Sequence, residues 1–249
     1  MEDFKDAEVV VDIKGLKKSF GSKEVLRDIN LVVHKGENFV VLGRSGQGKS
    51  VTIKCIVGLL TPDDGQLYVL GKDVAHLNQD GLRELRSQIG FLFQGAALYD
   101  SMTVRQNLEF PLRRVLKLKD EAEIEKRVKE MLENVGLVSA IDSMPSDLSG
   151  GMKKRIGLAR TLIVNPKIML YDEPTTGLDP ITSHEISELI LQLQKKFQVS
   201  SIIITHDMHC ARITANRVVI MNEGTYVASG SYDELQHSED EFIKSFFIE

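Results

Sequence analysis

Residues 43 to 50 read "GRSGQGKS", a run in which glycine, lysine and serine fall at the spacing of a phosphate-wrapping loop. The physical demand is specific. Gly43, Gly46 and Gly48 let the backbone curl until its N–H groups point at an anion, Lys49 adds a point charge, and the Ser50 hydroxyl is a hard oxygen suited to Mg²⁺. Arg44, Ser45 and Gln47 complete the loop and Val51 opens the helical stretch after it, so 43 to 51 is the candidate nucleotide-contacting segment. A second constellation is "IMLYDEP", where Asp172 and Glu173 stand side by side at the end of an apolar run. Adjacent like charges serve no packing purpose there. One carboxylate can hold Mg²⁺ while its neighbour polarises an attacking water, the division that phosphoryl transfer requires. On that reading Asp172 takes the metal and Glu173 the water, while the structural alternative has Glu173 merely opening a turn before Pro174.

Single polar residues follow other apolar runs. Gln94 in "FLFQGAALYD" has an amide able to contact Mg²⁺ or the water, and His206 after "SIIIT" can hydrogen-bond a γ-phosphate. Phe20, beside a Gly-Ser turn, either stacks on adenine or packs into its own sheet. "HDMHC", residues 206 to 210, offers possible transition-metal ligands but lacks the separated second pair of a structural zinc site. "LSGG", residues 148 to 151, resembles a second anion loop with its serine and paired glycines ahead of a helix, yet it has no lysine.

The elements that must position these residues follow from pattern. β-branched runs "NFVVLG", "KIMLYD" and "VSSIIIT" each end at turn residues and give way to helical patterns, which predicts an α/β domain with a mostly parallel core sheet and its sites at the strand exits. "VVVDIKGLKKSF" and "EVLRDINLVV" alternate on either side of a "GSK" turn, predicting an N-terminal antiparallel β subdomain. Residues 95 to 165 are mostly helical in pattern, with Pro111 and Pro145 as breaks, and are expected to form an inserted helical lobe. Within it Ile124, Val128, Met131, Leu132 and Val135 recur at helical spacing. Residues 232 to 249 are expected to form a C-terminal helix whose Phe242, Phe246 and Phe247 pack on the same domain.

Bulk properties agree with a single domain. The 249 residues, 42% hydrophobic, can bury a core without disulfides, and Cys55 and Cys210, the two cysteines, read as small packing residues of a reducing compartment. A formal net charge of -5 argues against nucleic acid as the partner. The acidic N-terminus lacks a secretory pattern, and no apolar run approaches the roughly 20 residues of a membrane span. Any membrane role is expected to come through a partner.

Taken together, "GRSGQGKS", Gln94, "LSGGM", "IMLYDE", "TTGLDP" and His206 resemble the Walker A, Q-loop, signature, Walker B, D-loop and H-switch of an ABC-transporter ATPase, in the same order along nearly the whole chain. The resemblance implies a P-loop NTPase of ABC type that hydrolyses ATP with Mg²⁺, with Phe20 as the adenine-stacking aromatic, Glu173 as the catalytic carboxylate and Asp179 as the D-loop residue linking two sites. It also implies a head-to-tail dimer with a second copy, in which Ser149, Gly150 and Gly151 close over the other copy's ATP. "GKSVTIK", Met152 after the signature glycines, and "FLFQGAALYDSMTVRQNLEFPLR" are similar to the ATPase subunit of the Mla phospholipid transporters. That similarity implies an integral-membrane permease, docked near "GAALYDSMTV", an MCE-type lipid-binding subunit, and a place on the cytoplasmic side of the bacterial inner membrane. Some relatives continue into a tail that embraces the neighbouring ATPase, and with an end at Glu249 that contact is not expected here. The alternative is the ATPase of another importer, such as an amino-acid system. A chromosome or repair ATPase would need a long heptad insertion, which the sequence lacks, and a translation-type relative would carry two cassettes.

Overall fold

The computed structural model describes residue 4 and residues 7 to 247. Its frame is a ten-stranded sheet with two characters. Strands β1 (Val9–Phe20), β2 (Lys23–His34), β4 (Asp64–Val69) and β5 (Lys72–Asp73) form an antiparallel limb in which β1 pairs with both β2 and β4. Strands β3 (Asn38–Leu42), β6 (Ile89–Leu92), β7 (Ile168–Asp172) and β8 (Ser200–Thr205) are parallel, and β9 (Arg217–Asn222) joins them beside β3 before turning back into antiparallel β10 (Thr225–Gly230). The spatial order is β5-β4-β1-β2-β10-β9-β3-β8-β7-β6.

The backbone pairing between the limb and the core is brief, although the two share a hydrophobic core. β10 meets β2 with Thr225 opposite Asp28, reinforced by the Arg27 N–H donating to the Gly224 carbonyl at 2.9 Å. Gly224 lies at φ +77°, and a Cβ there would meet the Val25 carbonyl at 2.5 Å, so a side chain would push the two halves apart.

β3 is buried along its whole length, as a central parallel strand must be. Its alternate residues feed two cores. Val40 and Leu42 face a core shared with the helices inserted between β6 and β7 and with α6 (Pro180–Phe197) and α7 (Met208–Thr214), whereas Phe39 and Val41 face the antiparallel limb, α1 (Lys49–Ile56) and Leu85 of α2 (Gln79–Ser87). β7 and β8 alternate in the same way, with Tyr171 and Ile203 on the first core and Leu170 and Ile202 on the second.

The segment from 95 to 165 contains α3 (Val104–Arg114), α4 (Glu121–Asn134) and α5 (Gly150–Leu162). Asp120 caps α4 by accepting from the N–H groups of Ala122 and Glu123, and the stripe Ile124, Val128, Met131 and Leu132 is buried. Pro111 does not break its helix as its residue type predicts. It lies inside α3, whose Val104, Leu108 and Leu112 are fully buried and whose start carries a Thr103–Gln106 capping box, so burial and capping outweigh the one lost backbone bond. The expected helix over 232 to 249 is instead two short ones, α8 (Tyr232–Gln236) and α9 (Glu241–Lys244), because Asp240 caps a fresh start; residues 248 and 249 lie outside the described residues. Phe246 and Phe247 pack on the core as expected, Phe247 edge-on to Tyr232 at 5.3 Å, whereas Phe242 is exposed at 38% and meets Phe246 edge-on at 5.3 Å, because the short α9 turns its side chain to the surface.

Candidate functional site

β3, β8 and β7 are neighbours in the sheet, and their C-terminal ends are nearly level: Leu42 opposes Thr205, and Asp172 opposes Ile204. The chain therefore leaves all three strands along one rim, where α/β sheets carry their ligands. The loop after β3 turns into α1 through Gly48 at φ +106°, a position where a Cβ would strike the Val25 carbonyl at 2.8 Å. Arg44, Ser45, Gly46, Gly48, Lys49, Ser50 and Val51 line a cavity of 530 Å³, and Gln94, Asp172, Glu173 and His206 line it from the opposite side.

Within that cavity Lys49 is 5% exposed and its ammonium donates to the carbonyls of Gly43 (2.6 Å) and Arg44 (3.1 Å) while standing 3.5 Å from a Glu173 carboxylate oxygen. A buried cation held this way is ready to exchange carbonyl partners for phosphate oxygens. The Ser50 hydroxyl donates to Asp172 Oδ1 at 2.7 Å. A hydroxyl and a carboxylate oxygen converging at the start of a helix are the hard ligands Mg²⁺ selects, so the donor set fits that ion. Gln47 lies outside the cavity wall and accepts from the Glu223 N–H at 2.5 Å, tying the loop to the β9–β10 turn.

Glu173 is held from several directions. Its backbone is left-handed, φ +52°, which swings the chain out of β7, and its N–H donates to Ile204 at 2.9 Å. One carboxylate oxygen accepts from the Thr176 hydroxyl at 3.2 Å and lies 2.7 Å from His206 Nδ1. A non-glycine residue in this conformation is costly and persists where its surroundings fix it. The next loop is braced to the same place: Thr175 donates to Asp207 at 2.8 Å, and Asp207 caps α7 by accepting from the N–H groups of His209 and Cys210. Asp207 is thus a cap, and His209 pairs with His184 of α6 (2.8 Å between ring nitrogens). Cys210 is buried, and burial pushes its thiol up to about 12.

Other sequence candidates stand apart from the cavity. Phe20 lies at the end of β1, 47% exposed, with Lys18 Nζ 5.7 Å from its ring centroid, so the aromatic is available for stacking. Ser149 caps α5 by accepting from the Met152 N–H at 3.3 Å, Gly150 opens the helix, and Gly151 is buried so closely that a Cβ would lie 2.5 Å from Thr182 Cγ2. Asp179 caps α6, accepting from the Ile181 and Thr182 N–H groups and the Thr182 hydroxyl (2.6 Å), and these bonds hold its carboxyl below the usual range. Ser149, Gly150, Gly151 and Asp179 do not line the cavity formed by this chain's own phosphate loop.

Sequence reasoning missed Val25, Thr176 and Lys154. The first two line the cavity. Lys154 is 5% exposed on α5 and donates to the Gln94 carbonyl at 2.5 Å and the Glu173 carbonyl at 3.3 Å. Spacing signals only its burial, since Gly151, Lys154 and Leu158 fall on one buried helical stripe, and not its carbonyl partners.

Residues 26–176 match the family model described as ABC transporter. The chain is 39% identical over 238 residues to the "Probable ribonucleotide transport ATP-binding protein mkl" of Mycobacterium leprae, covering 96% of this chain and 68% of that protein. It is 39% identical over 226 residues to the "Methionine import ATP-binding protein MetN" of Clostridium acetobutylicum, covering 91% of this chain and 70% of that protein. Among solved structures, a dimeric post-hydrolysis state of the ATP-binding cassette MJ0796 bound to ADP and Pi aligns with TM-score 0.80 and 31% identity over 89% of this chain and 98% of that one. The cassette cbiO1 of Clostridium perfringens, part of the transporter complex cbiONQ, aligns with TM-score 0.85 and 31% identity over 96% of this chain and 94% of that one. With the phosphate loop, the paired carboxylates and the fold all matched, the chain belongs to the ABC transporter family as its ATP-binding, ATP-hydrolysing subunit.

Proposed function

We propose that this subunit hydrolyses Mg²⁺-bound ATP with Glu173 as the carboxylate that polarises the attacking water. The observation that carries the reading is the aim of Glu173: a left-handed backbone and the Thr176 and His206 contacts hold its carboxylate on the phosphate cavity, 3.5 Å from Lys49. In this reading Lys49 and the N–H groups of Gly46 to Ser50 hold the β- and γ-phosphates, and Ser50, Asp172 and Gln94 hold the metal. The bound ion supplies charge neutralisation across those phosphates. Glu173 accepts a hydrogen bond from water and takes its proton as the water oxygen bonds to the γ-phosphorus and the bond to the ADP oxygen breaks, releasing ADP and phosphate. His206, anchored on Glu173 through Nδ1, offers Nε2 to the γ-phosphate. Glu173→Gln tests the assignment: ATP binding is retained while steady-state phosphate release falls at least about a hundredfold, the scale of a lost general base. Release above half of wild type rejects it.

The site is completed by a second copy. Ser149, Gly150 and Gly151 present a helix N-terminus away from the phosphate-loop cavity of their own chain, and a self-complementary two-fold pairing would give each of them the other copy's ATP. Asp179 then sits at the seam between the two sites. A membrane permease docks against the lobe near Tyr99, which is 43% exposed and packs on Phe110 at 4.9 Å, and this places the cassette at the cytoplasmic face of a bacterial inner membrane. No helix among the described residues is long and apolar enough to cross a membrane itself.

For the cargo we favour phospholipid, with an MCE-type lipid-binding subunit in the complex. The support is the similarity of the segments around Gln94 and Met152 to the Mla ATPases. The second reading, an importer of a small polar solute, draws on the MetN relative. Deletion in the source cell separates them: altered outer-leaflet lipid or detergent resistance supports the first, and intact lipid with lost uptake of an amino acid rejects it.

A further inference from the structure

Helix α5 does more than present Ser149 at its start. It meets the loop after β6 through the buried Lys154 and Gly157 and the half-buried Arg160, spaced three residues apart. Lys154 donates to the Gln94 carbonyl at 2.5 Å, and Arg160 donates to the carbonyls of Ala97 (2.6 Å) and Ala96 (3.3 Å). Gly157 lets the loop come close, since a Cβ there would lie 2.9 Å from Leu92 Cδ1 and 3.1 Å from Ala96 Cβ. Ala96 and Ala97 are both left-handed, φ +60° and +50°, so the loop takes a strained path that turns its carbonyls toward the two cations.

Lys154 then reaches further, to the carbonyl of Glu173 at 3.3 Å. The ammonium thus bridges the two loops on which the water-polarising carboxylate and the metal-side amide are mounted. A lysine at 5% exposure is expensive: burial drives its pKa below the ordinary lysine value, and the nearby Glu173 and Asp172 carboxylates pull it back up. An apolar residue would satisfy the core stripe at less cost but would leave two carbonyls without this donor.

We infer that Lys154 is a positioning residue for ATP hydrolysis, its buried ammonium holding Glu173 and Gln94 in one frame so that the carboxylate is aimed only while α5 and the Gln94 loop are seated together. The inference rests on the reading of Glu173 given above. Its consequence is a mechanical link: the helix that carries Ser149, Gly150 and Gly151 at its start also carries the residue that orients Glu173 in the same chain. A displacement of α5 is thereby felt at the carboxylate without passing through the nucleotide.

The test uses the full chain with Lys154→Met, Lys154→Gln and Glu173→Gln, each measured for kcat, KM for ATP, ATP affinity by calorimetry and Tm. Lys154→Met, which keeps the length and removes the donors, is expected to lower kcat about tenfold to a hundredfold while KM and ATP affinity stay within about twofold. Lys154→Gln, which returns one donor group, is expected to recover at least about threefold of that loss. In a Glu173→Gln background, where there is no carboxylate to aim, Lys154→Met should change single-turnover hydrolysis by less than about twofold. If Lys154→Met does not fold, Lys154→Gln carries the test through the same separation of kcat from KM at smaller size. A kcat within about twofold of wild type in folded Lys154→Met overturns the inference, as does a joint fall of kcat, affinity and Tm in both variants, which marks a purely structural lysine. Normal turnover by Glu173→Gln would instead remove the reading of the site on which the inference stands.

Discussion

Lys49→Met removes one cation and little volume, and its effect on ATP affinity can be worked from the contacts. In this structure the Lys49 ammonium is satisfied by two carbonyls at 2.6 and 3.1 Å and lies 3.5 Å from Glu173. Binding ATP exchanges those neutral acceptors for phosphate oxygens. The net gain is the difference between charge-assisted bonds to an anion, about 1.5 to 3 kcal/mol, and neutral-acceptor bonds the ammonium already makes. The variant forfeits the first and no longer breaks the second, and it leaves Glu173 facing the triphosphate without the cation between them. The first and third effects weaken binding and the second opposes them, so a net loss of about 1.5 to 3 kcal/mol is expected, or about 10- to 150-fold in Kd at 1.4 kcal/mol per decade. Calorimetric titration of ATP into wild type and variant reads this directly, and added salt should narrow the gap only slightly because the site is buried. A Kd within about threefold of wild type would refute the reasoning, since it would mean that the Lys49 ammonium does not meet the phosphates.

Three further outcomes are expected. Ser149→Arg and Lys49→Ala should each inactivate a homodimer, whereas a mixture of the two single variants should recover part of the ATPase activity; with Glu173→Gln and ATP present, a cysteine pair at Ser149 and Gly46 should crosslink between chains, and crosslinks confined within chains would end the composite-site reading. The native cysteines should not interfere: burial pushes Cys55 up to about 11 and Cys210 up to about 12, so neither should be alkylated by iodoacetamide at pH 8 in the folded protein, and labelling at the rate of a free thiol would contradict their burial. Gly151→Val, which puts a branched side chain where a Cβ would already lie 2.5 Å from Thr182, should cost about 1 to 3 kcal/mol and lower Tm, and an unchanged melt would show that α5 and α6 can separate freely.

What could be read from the sequence was whatever depended on neighbours along the chain. The phosphate loop, the Asp172–Glu173 pair and the strand exits are local patterns, and β3, β7 and β8 lie where their apolar runs predict. The amphipathic stripe of α4 was legible for the same reason. Pro111 misled because its effect was decided by burial of Leu108 and Leu112 against the lobe, which no local rule contains. The C-terminal break was legible in principle, since Asp240 is a good N-cap, but the phenylalanine spacing obscured it. Lys154 was out of reach as a site residue because its partners, the carbonyls of Gln94 and Glu173, are distant in sequence and invisible in residue type. The attachment of β10 beside β2 was equally hidden, being a long-range pairing between strands with ordinary alternating patterns.

That attachment bears on what the nucleotide does for the protein. Phe20 belongs to the antiparallel limb, while Gly46 to Ser50 belong to the parallel core, and the two are stitched at Thr225–Asp28 and Arg27–Gly224. A nucleotide with its base on Phe20 and its phosphates on the loop would lie across this stitch. On the placement proposed above, ATP at a hundred times its Kd would add about 2.7 kcal/mol to the folded cassette. Hydrolysis would leave the base and two phosphates in place and remove only the γ-phosphate, so on this placement the nucleotide's grip on the loop side of the joint would loosen while its grip on the limb stayed.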